Sequence, residues 1–143
     1  MTIDPLAWQA DLEALRKMPQ RYARAVDSHD YDSVAELFHP EGFVEGVRGS
    51  SAVPAYLEAM RNMPRTFDAS MHFMADPMIN LSPGDDEASM DTYAVVYQLR
   101  GNTAEGDLTL GMQYHDQLVR HAGRWVIKHR STRTIWMRGA LPS

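Results

Sequence analysis

The chain contains no cysteine among its 143 residues. This excludes disulfide bonds, thiolate zinc sites and a cysteine nucleophile together, and it fits a reducing compartment. No segment approaches the roughly 18 consecutive apolar residues of a membrane span. The N-terminus has no basic region followed by an apolar run, so it predicts no signal peptide. We therefore expect a cytoplasmic protein with no membrane partner.

Positive charge is also in short supply. The formal net charge is −5, lysine is scarce, and the arginines are scattered rather than clustered. Nucleic-acid binding requires a basic stripe that neutralises phosphates, so we expect no nucleic-acid partner. The sequence also lacks a His-x-x-x-His pair, a glycine-rich phosphate loop and a Gly-x-Ser-x-Gly elbow. It therefore predicts neither a metal site nor a cofactor.

The remaining composition is that of an ordinary globular protein. Apolar residues make up 44% and charged residues 23% of the chain, and the length favours a single domain over residues 1–143. Methionine is unusually frequent, with ten residues, several of them in the middle third. Because methionine is flexible and polarizable, these side chains either fill core gaps or line an adaptable pocket.

The first half of the sequence is typical of helices. Apolar residues recur every three or four positions from Trp8 to Val26, which predicts an amphipathic helix. Asp4 and Pro5 are a suitable cap and first helical residue. Pro19 is expected to kink or split this helix, which should end near Val26, before a polar turn. A short helix from Tyr31 to Phe38 completes a helical pair.

A strand and a third helix follow the helical pair. The segment Phe43–Val47 is predicted as a short strand. Ser50 or Ser51 is then expected to cap a helix that has Pro54 in its first turn. This helix should direct Tyr56 and Met60 inward and end within residues 62–65.

From Ala69 onward the alternation of side chains indicates strands joined by short turns. The predicted strands are Ser70–Leu81, Ala88–Leu99, Leu108–Arg120 and Arg124–Met137. On the last strand, strict alternation places Trp125, Ile127, His129, Ser131, Arg133, Ile135 and Met137 on one side, and Val126, Lys128, Arg130, Thr132, Thr134 and Trp136 on the other. We expect an α+β fold in which the helices pack on a curved antiparallel sheet and enclose an apolar pocket.

Three segments resemble the SnoaL-like group of the nuclear transport factor 2-like fold. They are Tyr22–Phe38, Met71–Phe73, and Gly123–Ile127 with its continuation to Arg133. The resemblance implies a cone-shaped domain. Members that act as cofactor-free dehydratases or dehydrohalogenases include scytalone dehydratase, bile acid 7α-dehydratase and hexachlorocyclohexane dehydrochlorinase. They carry a histidine on the first long strand and an aspartate after the first helix.

The resemblance places four catalytic candidates in this chain. His72 and Asp27 match the histidine and the aspartate, Tyr22 lies five residues before Asp27, as in the bile acid enzyme, and Arg133 matches an arginine late in the last strand. No acid stands in the middle of the second long strand, where that enzyme has a further aspartate; Val96 or a neighbour occupies the position. The ketosteroid isomerase pattern of carboxyl groups and tyrosine is not found.

These four residues suit an elimination beside a carbonyl group. His72 would be the base, and Asp27 would fix its tautomer. Tyr22 would donate its hydroxyl to a substrate oxygen, while Arg133 would hold an anionic group or polarise a carbonyl. An ideal helix separates Tyr22 from Asp27 by about 140°, so this hypothesis requires the helix to end before Asp27. Substrate contacts are expected from Met74, Tyr56, Met60, Trp125 and His129.

Each candidate also has a structural interpretation. His72 and Tyr22 could be core residues, Asp27 a turn residue, and Arg133 half of an ion pair with Asp27 or Asp91. The leading hypothesis is a cofactor-independent lyase or isomerase for a small apolar ring compound, such as a steroid, terpenoid, polyketide or xenobiotic. Cyclase and epoxide hydrolase chemistry stay open, as does a non-catalytic binding or assembly module. An exposed sheet face that includes Trp136 and Thr134 predicts a homodimer or homotrimer.

Overall fold

The computed structural model describes residues 3–47, 49–101 and 106–139. Its elements, in chain order, are α1 (Pro5–Asp27), α2 (Tyr31–Glu36), β1 (Phe38–Gly46), β2 (Gly49–Ala52), α3 (Val53–Asn62), β3 (Ala69–Met74), β4 (Met78–Asn80), β5 (Glu87–Leu99), β6 (Leu108–His121) and β7 (Arg124–Arg138). Most of the predicted turn at 101–106 and the C-terminal residues 140–143 lie outside the described part. Among the described helices, none is long and apolar enough to cross a membrane.

Helix α1 begins as its sequence predicts but ends later. The Asp4 side chain accepts a hydrogen bond from the Leu6 backbone N–H, and Pro5 occupies the first turn. The helix continues through the buried Pro19 rather than splitting there. It ends at Asp27, one residue beyond the expected position, just before His29 adopts a positive φ of 58°. Asp27 therefore belongs to the last helical turn.

The sheet is mostly antiparallel and has the strand order β2-β1-β7-β6-β5-β3, with β4 also paired to β5. Its one departure is the parallel pairing of β1 with β7, which the sequence did not predict. The predicted first long strand is divided into β3 and β4, with Pro77 in the gap. This division is reasonable because proline cannot donate to a strand ladder. β3 therefore ends the main path of the sheet as an edge strand.

Strand β7 contains two irregularities that change which side chains face the core. Gln117 pairs with His129 and Leu118 pairs with Ile127, so Lys128 is an extra residue in β7. Ile135 is a second extra residue, because Thr134 and Trp136 pair with the adjacent residues Met112 and Gly111. Each such bulge shifts the alternation by one position and moves the following side chains to the opposite face. Strict alternation along β7 was therefore a wrong prediction.

The helices cover the inner face of the curved sheet, as the sequence predicted. The core joins α1, α2 and α3 to the inner sides of the central strands. Its members include Leu15 and Met18 of α1, Val34 of α2, and Leu118 and Ile127 of the sheet. Burial of these apolar groups holds α1 against β3 and so determines where the last turn of α1 meets the sheet.

Candidate functional site

His72 and Asp27 form a hydrogen-bonded pair between the sheet and the first helix. The Nδ1 atom of His72 lies 2.7 Å from Oδ1 of Asp27. The backbone N–H of His72 donates to Oδ2 of the same carboxylate at 2.8 Å, and the Ser70 hydroxyl donates to Oδ1 at 3.0 Å. The His72 side chain is only 8% exposed. One carboxylate therefore fixes both the backbone and the ring of this histidine.

These contacts determine the protonation pattern of the pair. Burial raises the pKa of Asp27, but the hydrogen bonds from the ring and backbone of His72 and from Ser70 outweigh it, and the pKa falls below its ordinary value. Asp27 is therefore an ionised acceptor, and Nδ1 of His72 must carry the proton that it donates. In the neutral form of the ring, the other nitrogen, Nε2, then has a free lone pair. This is the arrangement of a general base that a carboxylate orients.

Tyr22 lies next to the pair, although it is five residues from Asp27 along α1. Its ring meets the His72 ring edge-on, with 6.1 Å between centroids. Its hydroxyl lies 3.1 Å from the hydroxyl of Tyr56, and either oxygen can be the donor. The expectation that α1 must end before Asp27 was wrong, because Asp27 is the last residue of α1 and still reaches β3. Sequence reasoning treated Tyr56 as a substrate contact and missed its bond to Tyr22.

The hydroxyl of Tyr56 keeps its proton at neutral pH. Burial, together with the neighbouring Tyr22, raises the pKa of Tyr56 well above its ordinary value. Since each phenol has one proton, one hydroxyl can donate to the other while the second proton is free for another acceptor. The pair is therefore a neutral hydrogen-bond donor beside His72.

A buried arginine completes the group, and it is Arg130 rather than the predicted Arg133. Both side-chain oxygens of Asp116 accept from Arg130, at 2.7 Å from Nε and 2.8 Å from Nη2. The guanidinium carbon lies 4.4 Å from the Tyr22 ring centroid and 4.7 Å from that of Tyr114. Burial lowers the pKa of Arg130, but the charge of Asp116 more than compensates and the guanidinium stays ionised. The remaining nitrogen, Nη1, is buried and has no partner among the described residues.

Arg133 lies on the opposite face of β7. It pairs with Gln113 across the strands, and its side chain is exposed. The bulge at Lys128 is the physical reason, because it brings Arg130 to the inner face. Thr134 is also turned inward and its hydroxyl lies 3.4 Å from the Met112 sulfur, contrary to its predicted outward position. The structure therefore does not bring Arg133 to the His72 group.

The predicted substrate contacts divide into two groups. Met74 lies two residues beyond His72 on β3, and Met60 lies one turn beyond Tyr56 on α3; both pack against the core. Trp125 instead donates its indole N–H to Asp11, 3.1 Å away. His129 lies on the outer side, with its ring 5.9 Å from that of Phe43 and its Nε2 3.4 Å from Glu45. Met74 and Met60 therefore share elements with His72 and Tyr56, while Trp125 and His129 have polar partners elsewhere.

A second histidine–aspartate pair lies on the outer face of the sheet. His115 Nδ1 is 2.6 Å from Asp91 Oδ1, and both side chains are about half exposed. The spacing resembles that of the inner pair, but water can reach both groups. Within the described residues, no set of three or more His, Asp or Glu side chains could hold a metal ion. The outer pair thus supplies a natural comparison for the inner one.

A polar cleft of about 490 Å³ lies away from the His72 group. Its lining comes from β4, the β4–β5 turn, and strands β5, β6 and β7, and includes Asn80, Glu87, Ser89, Gln117 and Lys128. It contains neither His72 nor Tyr22. This cleft is therefore not the apolar pocket that the sequence predicted around the histidine.

Several solved structures of other proteins have the same fold as this chain. The chain aligns with a protein provisionally named scytalone dehydratase from Novosphingobium aromaticivorans, with a TM-score of 0.80 and 19% identity over 98% of this chain and 94% of the other. It also aligns with hexachlorocyclohexane dehydrochlorinase LinA-type3 from Novosphingobium barchaimii, with a TM-score of 0.79 and 15% identity over 98% and 100%. A further structure from N. aromaticivorans is described as a protein similar to nuclear transport factor 2 with a cystatin-like fold (TM-score 0.79, 20% identity over 91% and 85%). These likenesses define the nuclear transport factor 2-like fold.

The family follows from the sequence itself. The SnoaL-like domain matches residues 9–131, and the chain belongs to this family. No curated protein matches the chain. The match confirms the resemblance seen in the three sequence segments and covers all the residues of the His72 group.

Proposed function

We propose that this protein is a cofactor-independent lyase or isomerase that uses His72 as a general base on a small apolar ring compound. The observation that carries the proposal is the Asp27 carboxylate, which binds both the backbone N–H and Nδ1 of a histidine that is almost fully buried. Such an arrangement serves proton transfer better than core packing, because a core histidine needs no ionised partner. Solved structures of the same fold include a dehydrochlorinase, which supports lyase chemistry.

In the proposed reaction, Nε2 of His72 removes a proton from a carbon beside an electron-withdrawing group. Negative charge then develops on a substrate oxygen, and the free proton of the Tyr22–Tyr56 pair is placed to stabilise it. The imidazolium that forms is stabilised by Asp27. The electron pair either expels a leaving group, as in a dehydratase, or is reprotonated at another carbon, as in an isomerase. These residues support both outcomes.

A proton-abstraction assay tests the proposal without knowledge of the natural substrate. The probe is 5-nitrobenzisoxazole, a neutral ring compound. A base removes its C3 proton as the N–O bond breaks, and the product, 2-cyano-4-nitrophenolate, absorbs visible light. We expect the protein to accelerate this elimination, and His72→Gln to lower the rate by about 10³ or more, since general bases contribute up to about 10⁴-fold.

The outer histidine–aspartate pair provides the matched control. His115 also pairs with an aspartate, but it lies on the outer face of the sheet. His115→Gln should therefore leave the rate unchanged. Equal losses in both variants, or no loss in His72→Gln, would contradict the assignment of His72 as the base. A protein that binds the probe without turnover would favour the binding-module alternative.

We also propose that the outer face of the sheet joins two or three copies of this chain. Phe73, Tyr93 and Met71 are 67%, 59% and 52% exposed, and the register places Phe73 in one row with Val95, Gly111 and Trp136. A contiguous apolar row of this kind is unusual on a monomer. A second copy, which presents the same row, is the simplest partner of matching chemistry.

Sedimentation velocity tests this self-association. We expect a dimer or trimer for the natural chain and a shift to monomer for Phe73→Glu, because a charge in the row would be desolvated in the assembly. Leu6→Glu is the control, since Leu6 is 76% exposed at the start of α1 and away from the row. A natural chain that sediments as a monomer at micromolar concentration would refute the proposal.

A further inference from the structure

The charges of four groups in the interior around His72 can be counted, namely those of Asp27, His72, Arg130 and Asp116. Asp27 is ionised, and the function proposed above requires His72 to be neutral before proton transfer. Arg130 and Asp116 carry opposite charges and are 2% and 1% exposed. The four protein groups therefore sum to −1 at rest and to zero once His72 has taken a proton from the substrate, when the negative charge lies on the substrate.

This charge balance depends on Asp116. Its two oxygens occupy Nε and Nη2 of Arg130, so the guanidinium keeps only one group, Nη1, without a partner among the described residues. The two N–H donors of Nη1 lie next to a neutralised charge, which suits a neutral acceptor such as a carbonyl or hydroxyl oxygen. A carboxylate ligand would find no uncompensated cation here and would add a second negative charge near Asp27.

The surrounding groups also favour neutral oxygen. Three aromatic rings, those of Tyr22, Phe38 and Tyr114, surround the guanidinium within 5.4 Å of its carbon and leave little room for solvent to stabilise an anion. The Tyr22–Tyr56 pair donates without bearing charge. The hydroxyl of Thr92, on the strand next to Tyr114, is a further buried group with no partner in the described part of the chain.

We propose that this interior selects uncharged substrates with a carbonyl or hydroxyl oxygen, and that Asp116 sets this selectivity by neutralising Arg130. The proposal rests on the function proposed for His72. It makes Asp116 a specificity-determining residue even though both of its oxygens are occupied and it contacts Arg130 rather than the substrate. Without Asp116, the uncompensated charge of Arg130 would attract an anionic ligand.

The test uses acetophenone and benzoate, which have nearly the same shape but differ in charge at pH 7. Their binding is measured by NMR titration, with the His72 ring resonances as the reporter. Binding in the polar cleft that Lys128 lines is therefore not counted. We expect the natural chain to bind acetophenone at least about tenfold more tightly than benzoate. In Asp116→Asn, benzoate should bind at least about tenfold more tightly than before, with acetophenone little changed. Asp116→Asn/Arg130→Gln should restore the original preference.

Several outcomes would overturn the proposal. They are equal binding of the two probes by the natural chain, no gain for benzoate in Asp116→Asn, and no shift of the His72 ring with either probe. If Asp116→Asn does not fold, the uncharged pair Asp116→Leu/Arg130→Met must still discriminate against benzoate, and tight benzoate binding by that variant would refute the idea. The NMR titration measures binding of the two probes and does not require the protein to be catalytically active. Discrimination without His72-dependent elimination therefore contradicts only the proposed function, and elimination without discrimination contradicts only this inference.

Discussion

Asp27→Asn is expected to slow the elimination of 5-nitrobenzisoxazole by about 10³-fold while leaving the fold intact. The amide can still accept one hydrogen bond from β3, but its NH₂ group cannot accept the Nδ1 proton of His72. The ring would then favour the tautomer with its proton on Nε2, where the base must be unprotonated. Loss of the correct tautomer and of the charge that stabilises the imidazolium lowers the rate of comparable histidine–aspartate pairs by about 10⁴.

Ser70→Ala is the matched control for this prediction. Ser70 donates to the same Oδ1 atom of Asp27, so its removal weakens the support of the carboxylate without changing the tautomer of His72. We expect a rate loss of less than about tenfold. If Asp27→Asn lost no more than Ser70→Ala, Asp27 would be a positional anchor only, and the base would not depend on its charge.

The pH dependence of stability provides a second measurement for Asp27→Asn. Because the pKa of Asp27 in the folded chain lies below the ordinary 3.8, the ionised carboxylate stabilises the fold fully above that ordinary value. This contribution is lost as the pH falls through the lower, folded-state pKa. Urea unfolding between about pH 5 and pH 3 should therefore show a smaller acid-induced loss of stability for Asp27→Asn than for the natural chain.

The largest stability effect is expected at the buried pair of Arg130 and Asp116. Arg130→Met alone, or Asp116→Leu alone, should lower the free energy of unfolding by about 3–5 kcal/mol, because each leaves a buried charge without its partner. The double variant should recover most of that loss, since the desolvation of two charges is then avoided. Urea unfolding of the four proteins, analysed as a double-mutant cycle, measures the coupling.

An exposed ion pair supplies the comparison. Arg61 and Asp32 lie 2.6 Å apart, with side chains that are 45% and 88% exposed, and Arg61→Met should change stability by less than about 1 kcal/mol. A similar small effect at Arg130 would mean that its charge is well solvated in the folded chain, and it would remove the basis for the charge count around His72.

Local chemistry was sufficient to predict that the first half of the chain forms helices and that His72 lies in a strand. Each of these features is indicated by residues close together in the chain, such as the Asp4-Pro5 start of α1 or the alternation around His72. The pairing of His72 with Asp27 came from resemblance to a family, because the two residues are 45 positions apart in the chain. Long-range contacts of this kind leave no periodicity in a single sequence.

The arginine was misplaced for a physical reason. Alternation predicts faces correctly only where every residue pairs, and the extra Lys128 breaks the pattern. A bulge depends on the partner strand as much as on its own residues, so one strand read alone cannot reveal it. A usable signal was present nonetheless: Asp116 lies in a run of apolar inner positions on β6, and a buried acid requires a cation. The parallel pairing of β1 with β7 had no such signal.

The bond from the His72 backbone to Asp27 also affects how the folded chain avoids aggregation. β3 is an edge strand, and the N–H of His72 points away from β5 toward Asp27 of the helix. An unpaired N–H at an edge is a template for another strand, especially beside exposed Met71 and Phe73. The carboxylate occupies this donor and so blocks one position at which a foreign strand could add. The side chain that holds the proposed base in place therefore also protects this edge of the sheet.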